Sequence, residues 1–427
     1  MKRLLFIAHR VPYPPNKGER VRALEQIKAL SPHFRLTIAA FAHSQEDYES
    51  ADALRQWAAE VIVAPAGGWT GMVRGAAGLL AGRSVGEGVF RAKSLLDLLR
   101  VQTRQGPFDL AVASSSTTLP VALGIRATAT VMDLVDVDSA KWARYAQSSR
   151  WPMRWVYRRE ARGIRRLEEL ALQRCAAVVV VSSAEAAALD CPGARVMVVG
   201  NGVDTEFFKP EACRGLQATI ECGLETSPPG GPSIVFTGTM SYRPNVEGVC
   251  WFVREVWPEL KRCRPGLRFV IVGRDPARAV RRLARVQGIT VTGSVGDVRP
   301  YVAAASLAVA PLHIARGVQN KILEAMAMGR AVVASPEALA GLELVEGTEV
   351  LAARTPKEWQ DCVLSLLVDE AARRRVEQAA RARVVADYAW AAKLAPLVSL
   401  CKRLAQAENA GASEPTDRPG GADAGEC

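Results

Sequence analysis

RGVQNKILEAMAMGRAVVAS, residues 316–335, is the stretch around which the rest of the chain is organised. Its pattern predicts a loop, a short helix opening near Gln319, a break at Gly329 and Arg330, and a buried strand over 331–334. That helix sets Lys321 and Glu324 three residues apart on one face, one turn from its N-terminus. Free backbone N–H groups and the helix dipole favour an anion at such a place. Lys321 adds positive charge suited to a diphosphate, and Glu324 can accept two hydrogen bonds from a vicinal diol such as a ribose. The same two residues would also make an ordinary surface pair, worth about 0.3 kcal/mol. The flanking apolar strand and the small Ala325, Ala327 and Gly329 weigh toward the ligand, because they let the helix pack closely on a sheet whose carboxyl edge carries ligands.

At 427 residues the chain is long for one domain and suited to two, each with its own core. A hydrophobic fraction of 49% and a charged fraction of 23% are those of a globular protein. The formal charge of +11 and a pI near 9.4 suit an anionic partner: a nucleotide, a membrane or a nucleic acid. With only 6% aromatic residues to stack bases and no recognition motif, nucleic acid is set aside. The nine cysteines are scattered, with no C-x-x-C pair or Cys/His cluster, which argues against a zinc site or a disulfide scaffold and for a reducing cytoplasm. The opening MKRLLFIAHRVPYPP is interrupted by His9 and Arg10 before it could act as a signal peptide, and no run reaches the length of a membrane span. Residues 407–427, rich in Gly, Ala, Pro and acidic residues, read as a disordered tail.

Short apolar runs at 3–8, 36–41, 61–64, 109–113, 128–132 and 177–181 alternate with helical segments, as a buried parallel sheet requires. The opening loop PYPPNKGERVR puts Gly18 just before a helix, where bare backbone can approach a substrate or phosphate. Residues 196–199 run into Gly200-Asn201-Gly202-Val203-Asp204, a strand ending in glycine turns that suits a crossing between domains. The domains expected are therefore 1–203 and 204–387. A second alternation follows, with strands at 234–237, 269–272, 289–292, 307–310 and 331–334 and helices at 246–262 and 277–286. Helical patterns at 356–368 and 370–386 precede a last helix over 388–406. A further segment, 151–174, is dense in Arg with Trp155, Tyr157, Ile164, Leu167 and Leu170 among the charges. It reads either as a helix lying on an anionic membrane or as a connecting helix whose apolar side faces the first core.

Two Rossmann-like halves, NGVD at 201–204, and KILEAMAMGRAVVAS at 321–335 together resemble the retaining glycosyltransferase family 4. The resemblance implies an α/β GT-B fold: two Rossmann-like domains facing a central cleft, with the C-terminal helix packing back across them. It also implies a nucleotide-sugar held mainly by the second domain and an acceptor by the first. PPNKGERVR and DLVDVDSAKW are most similar to bacterial sugar transferases of exopolysaccharide and PEP-CTERM systems. That similarity implies a glycan or polyprenyl-linked acceptor; if the segment 151–174 does lie on an anionic membrane, the cytoplasmic protein would make peripheral contact at the inner face of the membrane and the acceptor would be lipid-linked. Carried over by position, Glu324 holds the ribose and Lys321 the diphosphate. Gly238 and Arg243 lie where the family meets the leaving phosphate, and Gly18 approaches the donor phosphates. The chain departs from the family at Arg316, which stands where the first Glu of the E-x7-E motif belongs. Gly317 and Val318 remain there as backbone N–H donors. Many relatives carry a His in the loop where this chain has Asp133, Asp136 and Asp138, so the His role does not transfer and the three stand as acceptor-side candidates.

With no evident nucleophile, retention of configuration implies a front-face transfer in which the departing phosphate oxygen takes the acceptor proton. Lys321 and Arg243 are the expected catalytic residues, stabilising charge on the leaving diphosphate. Neither cofactor nor metal is expected. Asp136-Val137-Asp138 formally matches the metal-binding DxD of a different glycosyltransferase fold, yet turn, capping or acceptor roles compete with it. Two other functions share this pattern: a nucleotide-sugar epimerase of the GT-B fold, and a non-catalytic module binding nucleotide-sugar or an anionic polymer. Turnover with and without acceptor separates the three.

Overall fold

The computed structural model describes residues 1–15, 18–66, 68–80, 83–89, 93–103, 106–189, 195–210, 231–315 and 318–406. The expectation of a disordered tail at 407–427 lies outside them. The chain divides into two compact units: residues 1–199 together with the helix from Leu394, and residues 200–393.

The first unit is built on seven parallel strands: β1 (Arg3–Ala8), β2 (Arg35–Ala42), β3 (Glu60–Pro65), β4 (Phe108–Ser114), β5 (Ala127–Val135), β6 (Ala177–Val180) and β7 (Val196–Val198), in the order β3-β2-β1-β4-β5-β6-β7. The run Leu4-Leu5-Phe6-Ile7 is wholly buried because β1 is central and helices cover both of its faces. The second unit has six parallel strands: β8 (Ser233–Thr237), β9 (Arg268–Val272), β10 (Ile289–Val291), β11 (Leu307–Ala310), β12 (Ala331–Ala334) and β13 (Leu351–Ala352), in the order β10-β9-β8-β11-β12-β13. Its core gathers Phe236, Phe252, Trp257, Phe269 and Trp359, with Phe252 packed at 5.2 Å from Phe269 and 5.6 Å from Trp359, centroid to centroid.

Strand order reverses between β8 and β11, so the loops leaving these strands diverge and open a crevice at the carboxyl edge. The helix Asn320–Ala327 follows β11 and opens at that edge. Gly329 ends it at φ +66, a left-handed position that costs glycine little, and the Gly329 N–H closes the last turn on the Met326 carbonyl (2.9 Å).

Two features depart from the sequence reading. The single helix expected at 246–262 is two, Arg243–Glu255 and Trp257–Cys263, because Pro258 supplies no N–H and its ring blocks continuation of the first helix. Strand β13 is only two residues long, too short to show a period. The last helix is Trp390–Gln406, with Leu394, Leu397, Cys401 and Ala405 buried at helical spacing. No helix among the described residues is long and apolar enough to cross a membrane.

Candidate functional site

Three elements of the second unit meet at the switch point. Gly238, just after β8, has φ +155, and Gly273, just after β9, has φ +156. A Cβ on Gly273 would lie 1.6 Å from the Gly238 carbonyl oxygen, so the backbones touch as only glycine allows. A Cβ on Gly238 would in turn come within 2.7 Å of the Asn245 amide nitrogen and 3.2 Å of Lys321 Nζ. The bare backbone at Gly238 thus makes room for two side chains.

Those side chains are coupled. Lys321 Nζ donates to Asn245 Oδ1 at 2.5 Å, and the Asn245 amide donates to the Thr239 carbonyl at 2.9 Å, holding the loop after β8 against the helix. The ammonium also sits 4.3 Å from the centroid of the Phe236 ring, which favours a cation. Lys321 therefore makes no i,i+3 surface pair; it is drawn inward. Lys321 and Glu324 each keep part of their surface open, yet enough protein surrounds them that desolvation dominates their ionisation. Desolvation brings the Lys321 amine down to about 7 despite Glu324, and brings the Glu324 carboxyl up to about 7 despite Lys321. An amine short of counter-charge and a carboxyl short of donors stand one turn apart at a helix N-terminus. Beside them, Asn320 Oδ1 is buried with no hydrogen-bond partner among the described residues.

Of the other expected donor contacts, Val318 lies two residues before the helix, while Arg316 and Gly317 fall outside the described residues. Arg243 is the first residue of its helix; its side chain is 84% exposed and held by Glu247 at 2.7 Å. The segment sends Asn245, not Arg243, to Lys321. Asn245, Gly273 and Phe236 were missed in the sequence. Gly273 at a strand end and Asn245 just after a helix-opening proline were the available signals, but nothing local shows that they converge.

In the first unit, Gly18 opens the helix Gly18–Leu30, and a Cβ there would meet nothing within 4 Å. The expected acceptor residues separate. Asp133 is wholly buried, and both of its oxygens are engaged: by Arg22 Nε at 2.8 Å and Nη2 at 3.2 Å, by the Gln26 amide at 2.5 Å, and by the Val135 N–H at 3.1 Å. Arg22 spends its remaining fork on the Val199 carbonyl at 2.9 Å. Asp133 is thus a structural ion-pair partner, not an acceptor contact, because no oxygen is left to offer. It holds Val135 at φ +65, a left-handed conformation costly for a β-branched residue, and Ser115 at the end of β4 has φ +77. Asp136 stays open to solvent; partial desolvation and the nearby Glu185 and Asp138 raise its carboxyl. Asp138 begins the helix Asp138–Ser148 and pairs with Lys141. No group of three His, Cys, Asp or Glu side chains among the described residues is arranged to hold a metal.

Asp133→Asn leaves the Arg22 guanidinium buried without its counter-charge. We expect stability to fall by about 3–5 kcal/mol, read as a lower urea midpoint. Wild-type stability in that variant would show that the pair is not what holds this edge together.

The NGVD segment has a structural reason for its glycine. The Gly202 α-carbon faces Trp390, whose backbone would lie 2.9 Å from a Cβ, while Val203 donates to the Tyr388 carbonyl at 2.8 Å.

Residues 231–369 match the family model described as glycosyl transferases group 1. Comparison with curated proteins finds no match. Among solved structures, sucrose-phosphate synthase from Thermosynechococcus elongatus superposes with a TM-score of 0.67 at 16% identity, over 95% of this chain and 100% of that one. Anabaena HepE in complex with UDP and glucose gives 0.62 at 18% identity, over 94% and 100%. WaaG, a glycosyltransferase involved in lipopolysaccharide biosynthesis, gives 0.58 at 14% identity, over 95% and 99%. Residues 231–369 thus match a glycosyltransferase group 1 domain, and the chain as a whole has the GT-B fold.

Proposed function

We propose that this protein is a retaining glycosyltransferase that moves a sugar from a nucleotide-sugar onto a glycan or lipid-linked acceptor in the building of an exopolysaccharide, of the kind found with PEP-CTERM systems. The observation that carries this reading is the desolvated Lys321, held by Asn245 at the opening of a helix with Glu324 one turn along, inside the matched domain. A diphosphate restores to Lys321 the counter-charge it lacks, and ribose hydroxyls give Glu324 the donors it lacks. HepE, of the same fold, holds UDP and glucose, which makes uridine nucleotides the first to try.

In the proposed reaction the bond between the sugar's anomeric carbon and the donor phosphate breaks as the acceptor hydroxyl oxygen attacks from the same face. The hydroxyl proton passes to the departing phosphate oxygen, so the protein supplies no strong base. Lys321 and the helix N-terminus stabilise the charge growing on the diphosphate. Arg243 would share this work only after leaving Glu247, and Val318 would offer its backbone N–H to the donor. Charge on the leaving group is met by basic groups, so transfer needs no divalent cation.

Arg316, in place of a sugar-contacting carboxylate, favours a second reading in which the chain binds nucleotide-sugar without turning it over. A panel of nucleotide-sugars tested first for thermal stabilisation and then for turnover, with and without acceptor and with EDTA, separates the readings. A ligand at a hundred times its Kd adds about 2.7 kcal/mol. Stabilisation followed by acceptor-dependent, EDTA-resistant turnover is expected. Stabilisation without turnover would leave only the binding module, and loss on chelation restored by manganese would bring Asp136 and Asp138 back as metal ligands.

A further inference from the structure

The helix Met153–Arg174 in the first unit has two different ends. From Gly163 onward it belongs to the core: Ile164, Leu167 and Ala171 are buried, and a Cβ on Gly163 would lie 2.6 Å from the Ser84 backbone nitrogen. Ahead of that anchor, Arg154, Arg158 and Arg162 recur every fourth residue along the helix and Arg150 precedes it; the side chains of all four are exposed, with no ion pair or hydrogen bond among the described residues. Trp155 and Met153, on the first turn, are also exposed, and Trp151, in the turn that leads into the helix, is 82% exposed.

Arg159 ties this end to a second apolar element. It donates to the carbonyls of Leu79 (2.9 Å) and Leu80 (2.8 Å) and lies 5.9 Å from the Trp155 ring centroid. Leu80, 70% exposed, therefore ends its helix beside Trp155. Between residues 149 and 163 the one carboxylate is Glu160, which is buried and accepts from the Val85 N–H at 2.6 Å. No carboxylate among the described residues forms an ion pair with these four arginines.

Exposed tryptophans beside unpaired arginines, at the start of a helix and in the turn leading into it, match a surface that is anionic at its face and apolar just beneath. Uncompensated positive charge beside large apolar side chains is poorly served by water, and a soluble anion would satisfy only the arginines. We propose that this end of the first unit docks on an anionic phospholipid bilayer, the arginines on lipid phosphates and Trp151, Trp155, Met153 and Leu80 at the headgroup boundary. This goes beyond the transferase reading by naming a membrane-docking surface on the first unit, built from residues that take no part in the donor site, and it would bring the enzyme to lipid-linked substrates.

The test is sedimentation of the full chain with vesicles of phosphatidylglycerol or of phosphatidylcholine, at low and high salt. Binding to phosphatidylglycerol at low ionic strength is expected, weakening as salt rises, with little on phosphatidylcholine. An arginine near an anionic surface contributes about fivefold in affinity, so changing Arg150, Arg154, Arg158 and Arg162 together to Gln should lower binding by about 10²-fold or more. Trp151→Ala with Trp155→Ala should remove the part of binding that survives high salt. A melting curve of each variant checks that the fold persists. Absence of vesicle binding at low salt, an arginine variant that binds like the parent, or a tryptophan variant unchanged at every salt would each overturn the proposal; the last would point to a soluble polyanion. The assay uses no donor, so its outcome is separate from whether transfer occurs.

Discussion

Lys321→Met is expected to lower kcat for transfer by about 10²-fold or more while raising the melting temperature of the unliganded protein. The two effects have one cause. Desolvation around Lys321 holds the amine down to about 7, so the fold disfavours the charge that the departing diphosphate needs. Methionine keeps most of the stem against Phe236 and leaves no charge to desolvate. The sign can be followed with pH. Below about 7 the amine is protonated both folded and unfolded, and its cost to folding is greatest. Between 7 and 10.5 the folded form sheds the proton first and the cost shrinks; above that it is gone. The melting gap between variant and parent should therefore be widest at acidic pH and close as pH rises. Steady-state transfer and melting curves across pH measure both quantities. Parental turnover in the variant, or an early melt that accounts for the lost activity, would reduce Lys321 to a packing residue.

Glu324→Gln is expected to weaken nucleoside diphosphate binding about tenfold or more at neutral pH and to abolish the acid limb of its pH profile. The carboxyl is raised to about 7, so below that pH it takes up a proton and becomes a donor where the ribose needs an acceptor. Affinity in the parent should then fall by about tenfold for each pH unit below 7. Above 7 the amine of Lys321 loses its charge and affinity falls on that side too, which leaves an optimum near neutrality. The two limbs belong to the coupled pair, but each depends on one partner: glutamine at 324 should remove the acid limb and methionine at 321 the basic one. Calorimetry across pH on the nucleotide found by the stabilisation panel makes the measurement. A flat profile in the parent would show that neither group titrates against the ligand.

The alternation of apolar runs was enough to read two parallel sheets, since strands buried on both faces leave continuous hydrophobic stretches that no other arrangement uses so well. In the same way, Gly329 and the strand after it placed the helix Asn320–Ala327 within a residue. Propensity and burial period are local, and so they are legible. The convergence of Asn245, Gly238 and Gly273 on Lys321 is set by strand order, which brings Asn245 to Lys321 across 76 positions. The inward turn of Lys321 follows from that convergence, because an acceptor at the start of a neighbouring helix draws it away from a carboxylate on its own helix. Asp133 shows the same limit from the other side. A place in a loop rich in aspartates suggested a substrate contact, but Asp133 lies on β5, and Arg22, 111 positions earlier on the helix that follows β1, takes its oxygens once β4 sets β1 and β5 in one sheet. Residue types and spacing determined which elements form and which chemistry is available. Only the tertiary structure decided which of those groups lose water, and loss of water is what turns a lysine and a glutamate into a binding pair.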